Sequence, residues 1–403
     1  MRNLLVAQSG GPTSAINATL AGIVMYAQIS EKVDRILGAV NGIEGVLEER
    51  FLDLGSRIRN AEELQYLCQT PAAALGSCRM KLSGEEQMEK IVGILKQNEI
   101  SWFVYIGGND SMDTVAQLSA YCVEKHIEGL SVMGAPKTID NDLMGTDHCP
   151  GFGSAAKYIG ITFAELERDC HVYDKKAVTI VEVMGRNAGW LTAASALSRV
   201  NGGNGPDLIY LCEAPLSTER FLQDIRRELG RKDAVLVAVS EGVKTPDGKY
   251  LSESVQANAE DGFGHAYIAG AARILEELVR KKIGCKARAI ELNLMQRCAA
   301  HIRSSTDISE SRMLGMKAAE AAVAGYSGKM SSIIRLSDEP YEVRYGLTEI
   351  SRVANLEKKV PDDWMNAEKN DVNEKMMAYL RPLILGEGGV VYRNGIPAQM
   401  VLY

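Results

Sequence analysis

Short apolar segments recur along the chain, and each is followed by a turn with glycine or polar residues and then by a stretch of helical periodicity. This alternation predicts parallel β-strands joined by helices that cover both faces of a sheet. The predicted strands are residues 4–7, 36–40, 103–106, 131–134, 178–183, 208–211, 235–239 and 289–292. The predicted helices include residues 14–28, 112–125, 154–168, 219–229 and 264–282.

Four predicted strands precede about residue 150 and four follow it, which fits two lobes better than a closed barrel. We therefore expect an α/β protein of two doubly wound, Rossmann-like lobes with parallel sheets, over residues 1–150 and 151–300. Residues 301–403 are expected to supply helices that return to the N-terminal lobe and a C-terminal extension. That extension is predicted to hold a charged helical segment and a hairpin around Asn394-Gly395. Ligands of such folds bind in the loops after the strands, so an active-site cleft is expected between the lobes.

Composition limits the class of protein that this chain of 403 residues encodes. The net charge of −7 argues against a nucleic-acid partner, and an anionic substrate would need a locally positive pocket. The eight cysteines include no C-x-x-C pair, which disfavours a structural zinc site. No signal peptide and no run of 18 apolar residues is evident, which predicts a cytoplasmic protein without a membrane partner.

The loop "QSGGPTSAIN" follows the first predicted strand and opens a helix. Gly10 and Gly11 would let backbone N–H groups approach a phosphate, with the hydroxyls of Thr13 and Ser14 near the helix start. The loop is neither G-x-G-x-x-G nor a P-loop, so a dinucleotide site is disfavoured. A tight strand-to-helix turn with a polar cap is the alternative reading.

The loop "GAPKTIDNDLMGTD" carries the most chemistry. Lys137 supplies a cation and Thr138 a hydroxyl, while Asp140 and Asp142 would share a side if the segment were extended. One carboxylate could act as general base toward a hydroxyl while the other orients a metal or its water. That division suits phosphoryl transfer, although a solvated Asx-turn is the plainer alternative.

Basic and acidic residues stand at the ends of other predicted strands. Arg186 follows one strand, Glu241 ends another, and "FVYIGGNDS" places Asn109 and Asp110 after two glycines. A single arginine usually makes a surface ion pair, but several on strand-end loops would together create the positive field that the net charge lacks. These further arginines are Arg79, Arg288 and Arg297.

The order of these motifs resembles the phosphofructokinase family over residues 3 to about 310. The segments that carry the resemblance are "SGGPTSAIN", "IGGNDS", "PKTIDNDLMGTD", "IVEVMGRNAG" and "SEG". "GGND", "PKTIDND", "PGFGSAAKY" and "QRCAAH" look most like the pyrophosphate-dependent branch of that family. The resemblance implies phosphorylation of fructose 6-phosphate at O1 with Mg²⁺, reversibly, between a donor lobe (1–150) and a sugar-phosphate lobe (151–300).

The resemblance also implies a role for each matching residue. Asp140 matches the family's general base and Asp142 the carboxylate that assists the base and the metal. Arg288 matches an arginine that is usually lent by a neighbouring subunit, which implies a homodimer or a homotetramer. The remaining matches are Gly11 and Arg79 on the donor side, Thr138 at the reacting end, and Met184, Gly185, Arg186, Glu241 and Arg297 on the sugar phosphate.

Three positions bear on the phosphoryl donor. Asn109 stands where ATP users have an aspartate near Mg²⁺, Asp110 where they have glycine, and Lys137 where many of them have glycine. A carboxylate at position 110 would repel a nucleotide's inner phosphate, and the ammonium of Lys137 would neutralise pyrophosphate and its leaving group. An ATP-dependent enzyme and a non-catalytic sugar-phosphate sensor stay open as alternatives.

The sugar-phosphate side departs from the family pattern. Leu294 replaces a frequent histidine, Cys298-Ala299 replaces Gly-Gly, and Ala177 replaces an arginine for which Lys175 or Lys176 could substitute. These departures predict a 6-phosphate site that is built differently from the usual one.

Overall fold

The computed structural model describes residues 2–254 and 270–403. A seven-stranded sheet has the order β11-β10-β5-β4-β1-β2-β3, and its five central strands are parallel to one another. The edge strands β3 and β11 run antiparallel to their neighbours. Its strands are β1 (Asn3–Gln8), β2 (Arg35–Ala39), β3 (Phe51–Asp53), β4 (Ile100–Gly107), β5 (Ser131–Pro136), β10 (Lys329–Asp338) and β11 (Tyr341–Glu349).

A second, four-stranded sheet has the order β7-β8-β6-β9 and is parallel throughout. Its central strands β6 and β8 are almost entirely buried, as expected for a sheet covered on both faces. The two sheets confirm the predicted α/β architecture of doubly wound lobes. The strands of this sheet are β6 (Ala177–Val183), β7 (Leu208–Tyr210), β8 (Ala234–Ser240) and β9 (Lys286–Glu291), and β12 (Tyr392–Arg393) pairs separately with β13 (Ile396–Pro397).

Helices cover the faces of both sheets. The buried side of α12 shares one apolar core with β1 and α1, where Ala318 and Ala322 pack with Leu4 and Val6. Helix α12 therefore packs against the first sheet, whereas Met376 and Leu380 lie in a core with β6 and β8 of the second sheet. The helices are α1 (Ile16–Ile29), α2 (Gly42–Leu47), α3 (Leu54–Arg57), α4 (Ala61–Gln69), α5 (Glu85–Gln97), α6 (Asn109–Glu124), α7 (Phe152–Cys170), α8 (Trp190–Ala193), α9 (Thr218–Leu229), α10 (Ala271–Lys282), α11 (Met295–Cys298), α12 (Ser305–Val323) and α13 (Glu374–Leu380).

The C-terminal region differs in part from its prediction. The pattern missed β10 and β11, a long hairpin that extends the first sheet. The charged segment over residues 357–380 was expected to be helical, and it is helical in a 3-10 turn at Asp362–Trp364 and in α13 at its end, with irregular chain between them. The predicted hairpin is confirmed, since Asn394 and Gly395 both adopt positive φ between β12 and β13.

The remaining strands and helices lie within a few residues of their predicted bounds. Residues 264–269 of one predicted helix lie outside the described residues, and α10 accounts for the rest of it. Within residues 2–254 and 270–403 no helix has the length and apolar character needed to cross a bilayer.

Candidate active site

A cavity of about 590 Å³ opens between the lobes, at the carboxyl ends of strands from both sheets. The loops after β1, β4 and β5 form one wall, and the loops after β6, β8 and β9 form the other. This arrangement follows from two parallel sheets whose strand ends face each other. The predicted site residues that line it are Gly11, Arg79, Asn109, Asp110, Lys137, Thr138, Asp140, Asp142, Met184, Arg186, Glu241 and Arg297.

Two cations meet the glycine turn after β1. The ammonium of Lys137 donates to the carbonyl of Gly11 at 2.7 Å, and the Lys137 side chain is almost fully buried. A Cβ placed on Gly11 would lie 3.2 Å from Nη1 of Arg297, and one placed on Gly10 would lie 3.2 Å from Nζ of Lys137. Glycine at these positions therefore leaves room for both cations beside the backbone.

The start of α6 carries two of the residues that were expected to distinguish pyrophosphate from ATP. Asp110 pairs with Lys81, with 3.3 Å between Oδ1 and Nζ. Asn109 donates through Nδ2 to the carbonyl of Leu356 at 2.7 Å, and its Oδ1 accepts the N–H of Asn355 at 2.6 Å. Because the amide of Asn109 already holds this distant segment, a metal would have to share its oxygen with Asn355.

The catalytic loop is a turn rather than the extended segment considered from the sequence. Asn141 has a left-handed backbone, with φ of 57°, between the two aspartates. Its side chain donates to the Tyr379 hydroxyl at 2.8 Å and accepts the N–H of Cys149 at 3.0 Å. The turn still presents both Asp140 and Asp142 to the cavity.

Burial and mutual repulsion set the protonation of the acidic groups. Burial raises the pKa of Asp140 above the ordinary range, and the charge of Glu241 raises it further. Burial also raises the pKa of Asp142, and the charge of Asp140 adds to that shift. Burial likewise raises the pKa of Glu241 to about 7. The same burial lowers the pKa of Lys137 to about 8. A cluster with such shifts is typical of a site that handles protons and charged substrates.

The opposite wall presents polar groups to the cavity. Oε1 of Glu241 accepts the N–H of Gly185 at 3.2 Å, and Oε1 of Gln296 accepts the N–H of Met184 at 3.1 Å. Nε of Arg186 is buried and has no hydrogen-bond partner among the described residues. An unpaired guanidinium N–H in a cavity suits an oxygen-rich ligand.

Arg288 lies away from this cavity. It stands on β9 with its side chain about half exposed, and its guanidinium is 3.8 Å from a carboxylate oxygen of Asp169. Its predicted contribution to a neighbouring subunit's site stays a prediction. Leu294, where the family pattern has histidine, is also exposed.

Several residues that line the cavity were not singled out from the sequence. Lys81 stands two residues after Arg79, and Asn187 follows Arg186, so both had a neighbouring signal. Residues 355–357 had none, because they follow the unpredicted hairpin of β10 and β11 and reach the cavity only through the fold.

The acidic residues fit a magnesium ion only together with a phosphorylated ligand. Among the described residues, no group of three or more His, Cys, Asp or Glu side chains is arranged to hold a metal. Asp140 and Asp142 nonetheless repel each other in a cavity that disfavours their charged forms, and a cation would relieve both effects. Mg²⁺ commonly binds through one or two carboxylates plus substrate phosphates, which matches this donor set.

The two lobes and the cation-rich cleft define an α/β protein whose site suits phosphorylated ligands. The family model described as Phosphofructokinase matches residues 3–322, and the chain belongs to that family.

Relatives and solved structures match nearly the whole chain. A Methylococcus capsulatus protein named pyrophosphate–fructose 6-phosphate 1-phosphotransferase is 36% identical, covering 100% of this chain and 96% of the relative. A Xanthomonas campestris protein of the same name is 37% identical, covering 99% of this chain and 96% of the relative. The crystal structure of a pyrophosphate-dependent phosphofructokinase from Nitrosospira multiformis has a TM-score of 0.89 at 34% identity, covering 99% and 96% of the two chains.

Proposed function

We propose that this protein transfers a phosphoryl group from pyrophosphate to O1 of fructose 6-phosphate. The products are fructose 1,6-bisphosphate and phosphate, and the reaction runs in either direction, in glycolysis or gluconeogenesis. The observation that carries the proposal is the position of Lys137, buried against Gly11 in the cavity that Asp110 and Asp140 also line. The names of the relatives from Methylococcus and Xanthomonas support the same donor and acceptor.

Asp140 acts as the general base. Its carboxylate takes the proton of the O1 hydroxyl as O1 bonds to the terminal phosphorus of pyrophosphate. The bridging P–O bond breaks, and phosphate leaves with that oxygen. The pKa of Asp140 is raised by burial and by the charge of Glu241, which makes it a stronger base than an exposed aspartate.

A set of cations around the glycine turn neutralises the charge of the donor. Lys137 and Arg79 neutralise pyrophosphate and the departing phosphate, and the N–H of Gly11 binds its oxygens, because the N–H of Gly10 already donates to the carbonyl of Cys78. Asp110 repels the additional phosphate that a nucleotide would bring into the same space.

Mg²⁺ would be held by Asp142 together with oxygens of pyrophosphate, which leaves Asp140 as the base. When bound, the ion would supply positive charge that neutralises the donor. Asn109 stays a proposed contributor to this site through the oxygen that it shares with Asn355.

The acceptor is held by the opposite wall. The carboxylate of Glu241 and the N–H groups of Arg186 bind sugar hydroxyls, with Met184 and Gly185 against the ring and Thr138 near the reacting end. Arg297 binds the 6-phosphate, and Arg288 of a second subunit completes that site. This role of Arg288 makes the protein a homodimer or homotetramer, and its eight unpaired cysteines suit the cytoplasm.

A donor-exchange assay tests the proposal. Fructose 6-phosphate and Mg²⁺ are supplied with pyrophosphate or ATP at equal concentration, and fructose 1,6-bisphosphate is measured. We expect turnover with pyrophosphate and at most a trace with ATP. Turnover with ATP alone would establish the ATP-dependent alternative, and binding of fructose 6-phosphate without turnover would establish the sensor.

A further inference from the structure

Residues 355–358 form a strap that joins the two walls of the cavity. On the first lobe, the N–H of Asn355 bonds to Asn109, and the N–H of Lys358 donates to the carbonyl of Asp142 at 2.7 Å. On the second lobe, Trp190 Nε1 donates to the carbonyl of Lys358 at 3.0 Å. The strap therefore fixes the backbone of the catalytic loop relative to both lobes.

Lys358 makes the most concentrated set of contacts in the strap. Its ammonium donates to the carbonyl of Asp147 at 2.5 Å, to Oδ1 of Asn141 at 3.4 Å and to the carbonyl of Thr146 at 3.5 Å. The ring centroid of Trp190 lies 5.3 Å away on the other side. All three acceptors belong to the loop over residues 141–147, so one ammonium ties the beginning of this loop to its end.

The loop depends on such an anchor because its backbone has little regular structure. Asn141 and Gly145 both adopt positive φ, and among the described residues the ladder contact of this loop is a single bridge between Leu143 and Glu357 of the strap. A lysine carries three donors, which matches the three acceptors here. The Tyr379 hydroxyl makes a second link between the ends of the loop, because it accepts from Asn141 and donates to the carbonyl of Asp147, whereas Lys358 bonds to the carbonyl of Thr146 as well.

Lys358 also acts on the charge of the loop. Its positive charge favours the ionised form of Asp142, whose pKa is raised by burial, by Asp140 and by Glu357. Burial in turn lowers the pKa of Lys358 itself. The other titratable groups that face this ammonium are Cys149, Asp147 and Arg335.

We propose that Lys358 is a positioning residue for phosphoryl transfer, which holds loop 141–147 so that Asp140 and Asp142 meet the acceptor oxygen and the metal. The inference rests on the proposed function, because it assigns Lys358 to that reaction. Lys358 itself touches no substrate. Its effect on rate comes from the placement of two carboxylates, and small errors of placement strongly reduce the rate of a transfer between two bound reactants.

The test compares Lys358→Met with Lys359→Met, which removes the exposed lysine next in the chain. Steady-state kinetics are measured with pyrophosphate, fructose 6-phosphate and Mg²⁺. We expect kcat of Lys358→Met to fall about 10- to 100-fold, with both KM values within about threefold of wild type. Lys359→Met should match the wild type in all three constants.

Expressing kcat per folded molecule, with the folded fraction measured by circular dichroism, separates positioning from a loss of folded protein. A smaller folded fraction would lower the total rate only in proportion to the enzyme lost, whereas misplaced carboxylates lower kcat for each folded molecule. Lys358→Gln keeps two N–H donors without the charge. It should recover part of kcat, because its N–H groups can still bond to the loop carbonyls, and it serves as the decisive variant if the methionine protein does not fold.

The proposal and the proposed function fail in different ways. A wild-type enzyme that uses ATP instead of pyrophosphate would overturn the proposed donor, and the same variants would then decide the role of Lys358 with ATP. A folded Lys358→Met or Lys358→Gln protein with wild-type kcat per folded molecule would overturn the positioning role. A wild type without turnover would overturn both.

Discussion

Lys137→Met should make the ligand-free protein no less stable while removing most of its activity. The ammonium of Lys137 is buried, and burial lowers its pKa from 10.5 to about 8. At about 1.4 kcal/mol per pKa unit, keeping the charge in the folded protein costs on the order of 3 kcal/mol. Removing the charge therefore stabilises the variant by this amount, but the variant also loses the hydrogen bond to Gly11, which offsets about 1.5–3 kcal/mol of that stabilisation. We therefore expect a free energy of unfolding that is unchanged or up to roughly 2 kcal/mol higher.

The assay is unfolding in guanidinium chloride at pH 7 without ligands, with Lys90→Met as a control at an exposed lysine. The control should stay within about 0.5 kcal/mol of wild type. In parallel, turnover of Lys137→Met with pyrophosphate should fall about 100- to 1000-fold, the usual loss when one preorganised charge is removed. A variant destabilised by more than about 2 kcal/mol would refute the reasoning, because the buried ammonium would then be a net stabiliser.

The pH dependence gives a second check on the same reasoning. Below pH 8 both the folded and the unfolded chain hold the proton of Lys137, and the cost of the buried charge is at its full value. Between about pH 8 and pH 10.5 only the unfolded chain still holds it, so the cost shrinks as the pH rises. The free energy of unfolding of the wild type, relative to that of Lys137→Met, should therefore rise between about pH 8 and pH 10.5.

Three further predictions concern the cavity. The kcat/KM for fructose 6-phosphate should rise with pH as Asp140 loses its proton, at a pH above the range of an exposed aspartate. It should fall above about pH 8 as Lys137 loses its proton. If the alkaline limb of Lys137→Arg is not displaced, Lys137 is not the group that causes this fall. Gly11→Ala should raise the KM for fructose 6-phosphate about tenfold, because the new Cβ lies 3.2 Å from the guanidinium of Arg297, which binds the 6-phosphate, and unchanged binding of fructose 6-phosphate in a titration calorimeter would argue against this. Asp110→Gly should increase kcat/KM with ATP at least about tenfold, and a variant that stays blind to ATP would show that repulsion at position 110 is not sufficient to exclude nucleotides.

Much of the fold could be predicted because its signals are local. Each buried parallel strand is a short apolar run that ends at a turn, and the glycines after β1 and β4 mark where strands end and helices begin. The antiparallel additions were missed for the opposite reason. Along β10, buried positions give way to alternating ones, and β11 is only partly buried, so neither strand shows the apolar run of its parallel neighbours.

The candidate site was predictable as a set of loops but not as a set of contacts. Asp140 and Asp142 both line the cavity as expected, yet they do so from a turn set by the left-handed Asn141. Asn109 has its amide committed to the strap over residues 355–358, which no local pattern could reveal. Arg288 lies outside the cavity of its own chain, so its predicted role depends on a second subunit.

The sequence by itself determined the alternation of strands and helices, and therefore which loops meet at the carboxyl ends of the sheets. Those features depend on neighbours along the chain, where side-chain periodicity and glycine geometry act directly. Only the tertiary structure decided that a strap from residues 355–358 closes on the catalytic loop, that Lys358 anchors it, and that Lys137 loses its hydration beside Gly11. These features depend on groups more than 100 residues apart and on the exclusion of water, because pKa values and long-range hydrogen bonds exist only once the lobes have packed.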